Sequence, residues 1–229
     1  MKQFSTYLLV FCILVLGCSP EEPVPVDLGL GYFPLRIGVF QVYQVEEKRY
    51  SGSGEPVIET YQIKVEVNDS FPNCDETFTY VLARLRRATA ADSWENFETW
   101  SARINHQELV VNEGNSSFVK LAFPLKNGLT WDGNKFNSFG QDEYEITQFG
   151  APATVGGTTF EETLTVTQEM NEDVIVFLDE RREVYARNVG LIMREFRQLN
   201  YCTEDHCRGQ QQIESGTEFK YELVEYGNL

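Results

Sequence analysis

Cysteine, histidine, carboxylate and tryptophan are the side chains of this 229-residue chain whose spacing could support chemistry. In "CTEDHC", at 202–207, Cys202 and Cys207 stand close enough to close a tight loop between two strands, and loop entropy assigns such a disulfide about 2 kcal/mol. The same hexapeptide offers Cys202, His206 and Cys207 to zinc. Two of those ligands are adjacent in sequence and no second Cys/His pair stands elsewhere, so the bridge is expected and a metal is not. His106, the other histidine, has no companion at metal or nucleophile spacing. "WDGNKFNSFGQDE" carries Asp132, Asn134, Asp142 and Glu143, oxygen donors of the calcium type, without the alternation or closing glutamate of an EF-hand; a solvated loop is expected. Trp94, Trp100 and Trp131 lie in or beside predicted strands with polar neighbours. Trp94, Glu98 and Trp100 share the parity of one strand face, a row able to stack sugars or to cover an apolar ligand, or simply to pack as core or sheet edge.

The chain opens with a positive Lys2 and an apolar run, "YLLVFCILVL", at 7–16. A bilayer span needs about 20 apolar residues, so a run of this length reads as the h-region of a secretory signal, predicted over 1–17. It ends in "VLGC", which resembles the lipobox of bacterial lipoproteins, cleaved before the cysteine. The resemblance implies a diacylglyceryl thioether and an N-acyl chain on Cys18, and two or more chains make attachment stable where one is marginal. "SPEEPVPVDLGLG" follows, with three prolines and two glycines, so residues 18–31 are expected to form a lipidated cysteine and an extended acidic spacer. Ser19, Glu21 and Glu22 also resemble the acidic export signal of surface lipoproteins of the Bacteroidota, which implies the outer membrane and display on its outer surface.

Net charge is −16, and loss of Lys2 with the signal takes it to −17. Such a field repels nucleic acid and anionic headgroups, which excludes polyanion binding as the expected role. With Cys12 in the signal and Cys18 acylated, Cys74, Cys202 and Cys207 remain in a compartment that permits disulfides. Cys74 can sit as a small apolar residue, pair with a partner chain or compete for the other two.

The elements that must position these residues follow a period of two. In "ETYQIKVEV", Tyr61, Ile63, Val65 and Val67 share one face against Gln62, Lys64 and Glu66; "TYVLARLRR" and "ETLTVTQ" repeat the pattern. Further strands are predicted at 39–49, 94–104, 108–111, 118–123, 143–149, 174–177, 184–197 and 218–226, with one short helical turn at 179–182. Polar turns and the lack of helical crossovers make the pairing antiparallel. The expected class is all-β, a single domain over 32–229 built as a strongly curved meander, an open barrel or a two-sheet sandwich, with wet outer faces.

One device occurs twice, "FPLRIG" at 33–38 and "FPLKNG" at 123–128. Phe and Leu would pin a turn to the core, proline marks a strand start or sheet edge, and glycine takes the turn conformation. A repeated edge turn explains this without duplication of about 90 residues. Together with "YARNVGLIMRE", these patches resemble uncharacterised lipoproteins of the Bacteroidota that share an FPLxxG opening followed by an aromatic pair and a later VGL segment; this chain has Phe40, Gln41 and Val42 where those often have tryptophan. The resemblance implies fold and location only.

No G-x-S-x-G, Walker A or G-x-G-x-x-G motif occurs, and no cofactor is expected. The expected function is a membrane-anchored, non-catalytic binding or interaction module of the envelope, its partner a protein, lipid or glycan. The alternatives are a carrier of an apolar ligand in a β cavity and a glycan hydrolase.

Overall fold

The structure is a computed structural model that describes residues 27–229 apart from Ser53 and His106; Cys18 and the signal segment lie outside these residues. Twelve strands run in sequence: β1 Val39–Ser51, β2 Val57–Pro72, β3 Phe78–Arg87, β4 Glu95–Ile104, β5 Glu108–Glu113, β6 Ser116–Ala122, β7 Thr130–Asp132, β8 Glu143–Val155, β9 Thr158–Asp173, β10 Phe177–Ala186, β11 Gly190–Tyr201 and β12 Ile213–Asn228. All pairings are antiparallel, in the order β6-β5-β4-β3-β2-β1-β12-β11-β10-β9-β8-β7. The protein is therefore all-β, a meander curled into a nearly closed barrel. Its two sheet edges, β6 and β7, are consecutive in the chain and meet where Val119 N–H donates to Gly133 C=O at 2.9 Å.

Because every connection reverses direction, the turns sort into two ends. The chain enters at one end, where both FPLxxG segments and the C-terminus lie. The opposite end carries the β7–β8 loop, the β9–β10 turn and the disulfide loop. In each hexapeptide the glycine adopts a positive φ, 90° at Gly38 and 74° at Gly128. Gly38 N–H donates to Val67 C=O on β2 and Gly128 N–H to Ile146 C=O on β8, both at 2.8 Å; the next residue's N–H returns to Arg36 or Lys126. Phe33, Leu35, Phe123 and Leu125 pack on one core cluster, as their apolar character requires. The same turn thus opens two successive six-strand meanders.

That core fills the barrel: Val39, Val67, Leu82, Leu109, Leu121, Ile146, Leu164 and Tyr185 belong to it. A second cluster lies on the other side of β10, where Val184 and Ala186 meet Ile192 and Leu223, and where the tip of the β8–β9 hairpin adds Val155 and Phe160. The tip folds over β12, with Phe160 and Tyr226 rings 6.2 Å apart, so the Glu183–Ala186 part of β10 is buried on both faces and not wet on its outer face.

Three other expectations change. Residues 179–182 are strand and not a helical turn, because Glu180 and Arg182 pair across to β11 as ions as well as backbone, with Arg197 and Glu195. The predicted strand 184–197 is cut by a turn at Arg187 to Val189, with Asn188 at φ 63°, and Val174 to Val176 form an exposed turn where a strand was predicted. Asp27 to Gly31, expected in the extended spacer, dock on the barrel: Leu125 N–H donates to Leu28 C=O, Asn188 N–H to Gly31 C=O, and Arg187 pairs with Asp27. One turn of 3-10 helix, Leu30–Tyr32, seats Tyr32 in the core.

Candidate functional site

Period two puts Glu183 and Tyr185 on the face of β10 that looks into the barrel, among residues that are otherwise apolar. Burying one carboxylate there, only 1% exposed, demands charge partners. Lys120, from β6 on the far wall, reaches Glu183 at 2.9 Å and Glu113 at 2.7 Å; Arg194 of β11 approaches the same two at 3.4 and 3.3 Å. Two cations and two carboxylates thus balance inside the barrel.

Burial pushes Glu113 up, but Arg194 and Lys120 outweigh it and hold the carboxyl at about 2. Glu183 is lowered as well, burial again opposing and Lys120 and Arg194 prevailing. Burial drives the Tyr185 phenol well above its ordinary value, so it stays neutral and its O–H donates a hydrogen bond to the Glu183 carboxylate at 2.5 Å. A glycosidase acid needs a carboxyl raised toward neutral pH. Both carboxylates are shifted the other way, which suits fixed charges rather than proton transfer.

Below this network is a cavity of about 70 Å³ with mainly apolar walls, Phe33, Val65, Leu82 and Leu191 among them, and Arg84 and Glu183 on its polar side. At roughly 30 Å³ each it has room for about two waters, and an acyl chain does not fit. Above the network the barrel mouth opens as a cleft of about 390 Å³ walled by Phe118, Phe139, Tyr144 and Phe196, with Lys120 and Arg194 as its floor. Arg181 spans the mouth, held by Asp142 at 2.8 Å and Asp179 at 2.7 Å. Gly133 makes room for Tyr144: a Cβ there would stand 2.3 Å from the ring.

Gln168 enters the cleft through a register fault. Arg181 pairs with Glu169 and Arg182 with Thr167, so Gln168 is the extra residue of a bulge, the device that re-aims a side chain. It is 5% exposed, and its Nε2 has no hydrogen-bond partner.

The three tryptophans do not form one surface. Trp100 and Glu98 come together as predicted, the indole N–H donating to Glu98 at 2.9 Å, and Arg84 lies 3.7 Å over the ring. Trp94 precedes β4 and carries Arg87 at 4.1 Å. Arg84 and Arg87 are three apart on β3 and so face opposite ways, which separates the two indoles. Trp131 packs against the core edge-on to Tyr144, its N–H bound to Val119 C=O at 2.8 Å, and serves the junction of β6 and β7. Cys202 and Cys207 are bridged, with Cα atoms 5.8 Å apart and His206 beside them. Cys74 is exposed and unpaired among the described residues. Asp132 and Asn134 spend their oxygens on the loop: Asp132 accepts from Asn134 and Asp142 backbone N–H groups, and Asn134 accepts from Asn137.

Sequence reasoning missed Lys120, Glu113, Glu183, Arg194 and Gln168. Their only signal was parity: Glu183 shares a face with Tyr185, and Lys120 with Phe118. That is indistinguishable from an ordinary polar face until the opposing strand is known.

No family model matches the chain, and no curated protein matches it. Among solved structures it is similar to a protein of Bacteroides fragilis described as exported and as having a YmcC-like fold, at 13% identity and a TM-score of 0.47 over 86% of this chain and 98% of that one. It is also similar to a protein of Parabacteroides distasonis described as a lipoprotein, at 12% identity and a TM-score of 0.39 over 89% of this chain and 100% of that one.

Proposed function

We propose that this chain is an envelope lipoprotein, acylated on Cys18 and held at the outer membrane, whose β domain is a non-catalytic binding module with its mouth turned outward. The observation that carries this reading is the polarity of the barrel. Asp27, the first described residue, is clamped by Arg187 at one end, and the cleft opens at the other. A tether attached at the entry end leaves the mouth facing away from the bilayer. A cavity of only about 70 Å³ opposes a lipid carrier, and the lowered Glu113 and Glu183 oppose a hydrolase. Net charge of −16 opposes nucleic acid.

The test is Cys18→Ala, followed by metabolic labelling with an alkynyl fatty acid and membrane fractionation. The expected result is loss of label and release from the membrane fraction; a Cys18→Ala chain that still takes up label would refute the anchor.

A further inference from the structure

We infer that the cleft at the barrel mouth is a subsite for a neutral sugar ring, with Gln168 as its buried hydrogen-bonding group. This deepens the binding-module reading and rests on it.

A buried amide nitrogen without a partner costs about 1–3 kcal/mol, a penalty a fold does not retain without return. Among the described residues, buried side-chain nitrogens without a hydrogen-bond partner are Arg84 Nε, Gln168 Nε2 and Arg187 Nε, of which Gln168 Nε2 is the amide. Arg187 Nε lies 2.7 Å from the Glu162 carboxylate, and Arg84 borders the small cavity below; Gln168 lines the open cleft, put there by its bulge.

Charge decides what can enter. The cations around the cleft, Lys120, Arg181 and Arg194, face four carboxylates, Glu113, Glu183, Asp142 and Asp179, a balance of 3 − 4 = −1. No positive charge is left over for an anion, so phosphate and uronate are disfavoured. The ionised floor disfavours an alkyl chain, whose contact with the buried charges would strip their polar surroundings. A peptide strand added at the free edge of β6 is blocked, because Val119 N–H and C=O and Ser117 C=O are already taken by Gly133, Trp131 and Asn137. What remains is a neutral polyol. Its hydroxyls can donate to and accept from an amide and ion-paired groups, and its C–H face can lie on an aromatic wall. Such a wall exists: Phe118 and Phe139 stack at 6.2 Å with planes 29° apart, and Phe139 is 55% exposed. The volume, about 390 Å³, lies in the range of small-molecule pockets.

The test is saturation-transfer NMR and calorimetry on the purified chain with glucose, galactose, mannose and N-acetylglucosamine and their short oligomers. Glucuronate, inorganic phosphate and dodecanoate are the chemical controls. Saturable binding of at least one neutral sugar and none of the controls is expected. Gln168→Leu should weaken it about tenfold, the worth of one hydrogen bond, while the melting temperature holds or rises because an unpaired buried amide is gone. Phe139→Ala, on an exposed loop, should also weaken binding without unfolding the barrel. The inference is overturned if no neutral sugar binds up to millimolar concentration, if a control binds better than every sugar, or if Gln168→Leu binds as well as the parent chain. Those outcomes leave the Cys18 labelling result untouched, so failure of the sugar site and failure of the anchor are separable.

Discussion

The barrel has two junctions between its six-strand halves, and they are unequal. At one, β1 and β12 pair along 13 residues from Val39↔Asn228 to Ser51↔Ser215. At the other, β6 and β7 are held by the Val119–Gly133 backbone bond and the Trp131 indole. The first strand of each half, β1 and β7, is launched by the same hexapeptide turn. The turn therefore sets where a strand begins and not how far it pairs. "VFQVYQVEEKRYS" continues with alternating β-formers, whereas "TWDGN" breaks after three residues because glycine and asparagine end the strand. The weaker junction is where the mouth opens, since the loop that replaces a longer β7 supplies Asn134, Phe139 and Asp142 to the cleft.

If the open junction depends on charges bridging the barrel, Lys120→Met should be the most damaging change, because it leaves Glu183 buried with Arg194 as its only cation. A loss of about 3–5 kcal/mol in chemical denaturation is expected, with hydrogen exchange rising first at β6 and last at β1 and β12. Uniform loss at both junctions would break the comparison.

Acid should act in the same place. Glu113 has a folded value near 2 against 4.5 unfolded, and Glu183 is also lowered, so their stabilisation is complete above the unfolded value and is lost as pH falls from about 4.5 toward 2. A loss on the order of 3 kcal/mol is expected across that window from Glu113 alone, read as falling denaturation midpoints. Lys120→Met should flatten this dependence, and an unchanged slope would assign it to other carboxylates.

Replacing both Cys202 and Cys207 by Ser should cost about 2 kcal/mol on the loop-entropy scale. The change lies between β11 and β12, so protection should fall beside the closed junction and leave β6 unaffected. The smallest effect is expected from Trp131→Phe, about 1 kcal/mol for the lost bond to Val119. Its signature is faster exchange at Val119 N–H, with β1–β12 protection unchanged.

Much of the fold was legible. The alternation in "ETYQIKVEV" marked β2, the polar turns marked reversals, and the hexapeptides marked two turns pinned to the core, because these depend on residues a few positions apart. The charged run "DERREV" was less legible: its composition favours a helix, and only the neighbours on β9 and β11 hold it extended. The tryptophans carried a real signal of partnership but not of which partner. Trp100 and Trp94 are capped by arginines of β3, and Trp131 by a carbonyl of β6.

By itself the sequence determined the acidic charge, the antiparallel all-β class and the Cys202–Cys207 bridge, each a matter of composition or short spacing. Only the tertiary structure decided which polar residues face inward. Lys120 meets Glu183 across 63 positions of chain and across the barrel, and Gln168 turns into the mouth because its neighbours slip by one residue against β10. In a strand the period of two defines two faces without naming either as the interior, and curvature with register makes that choice.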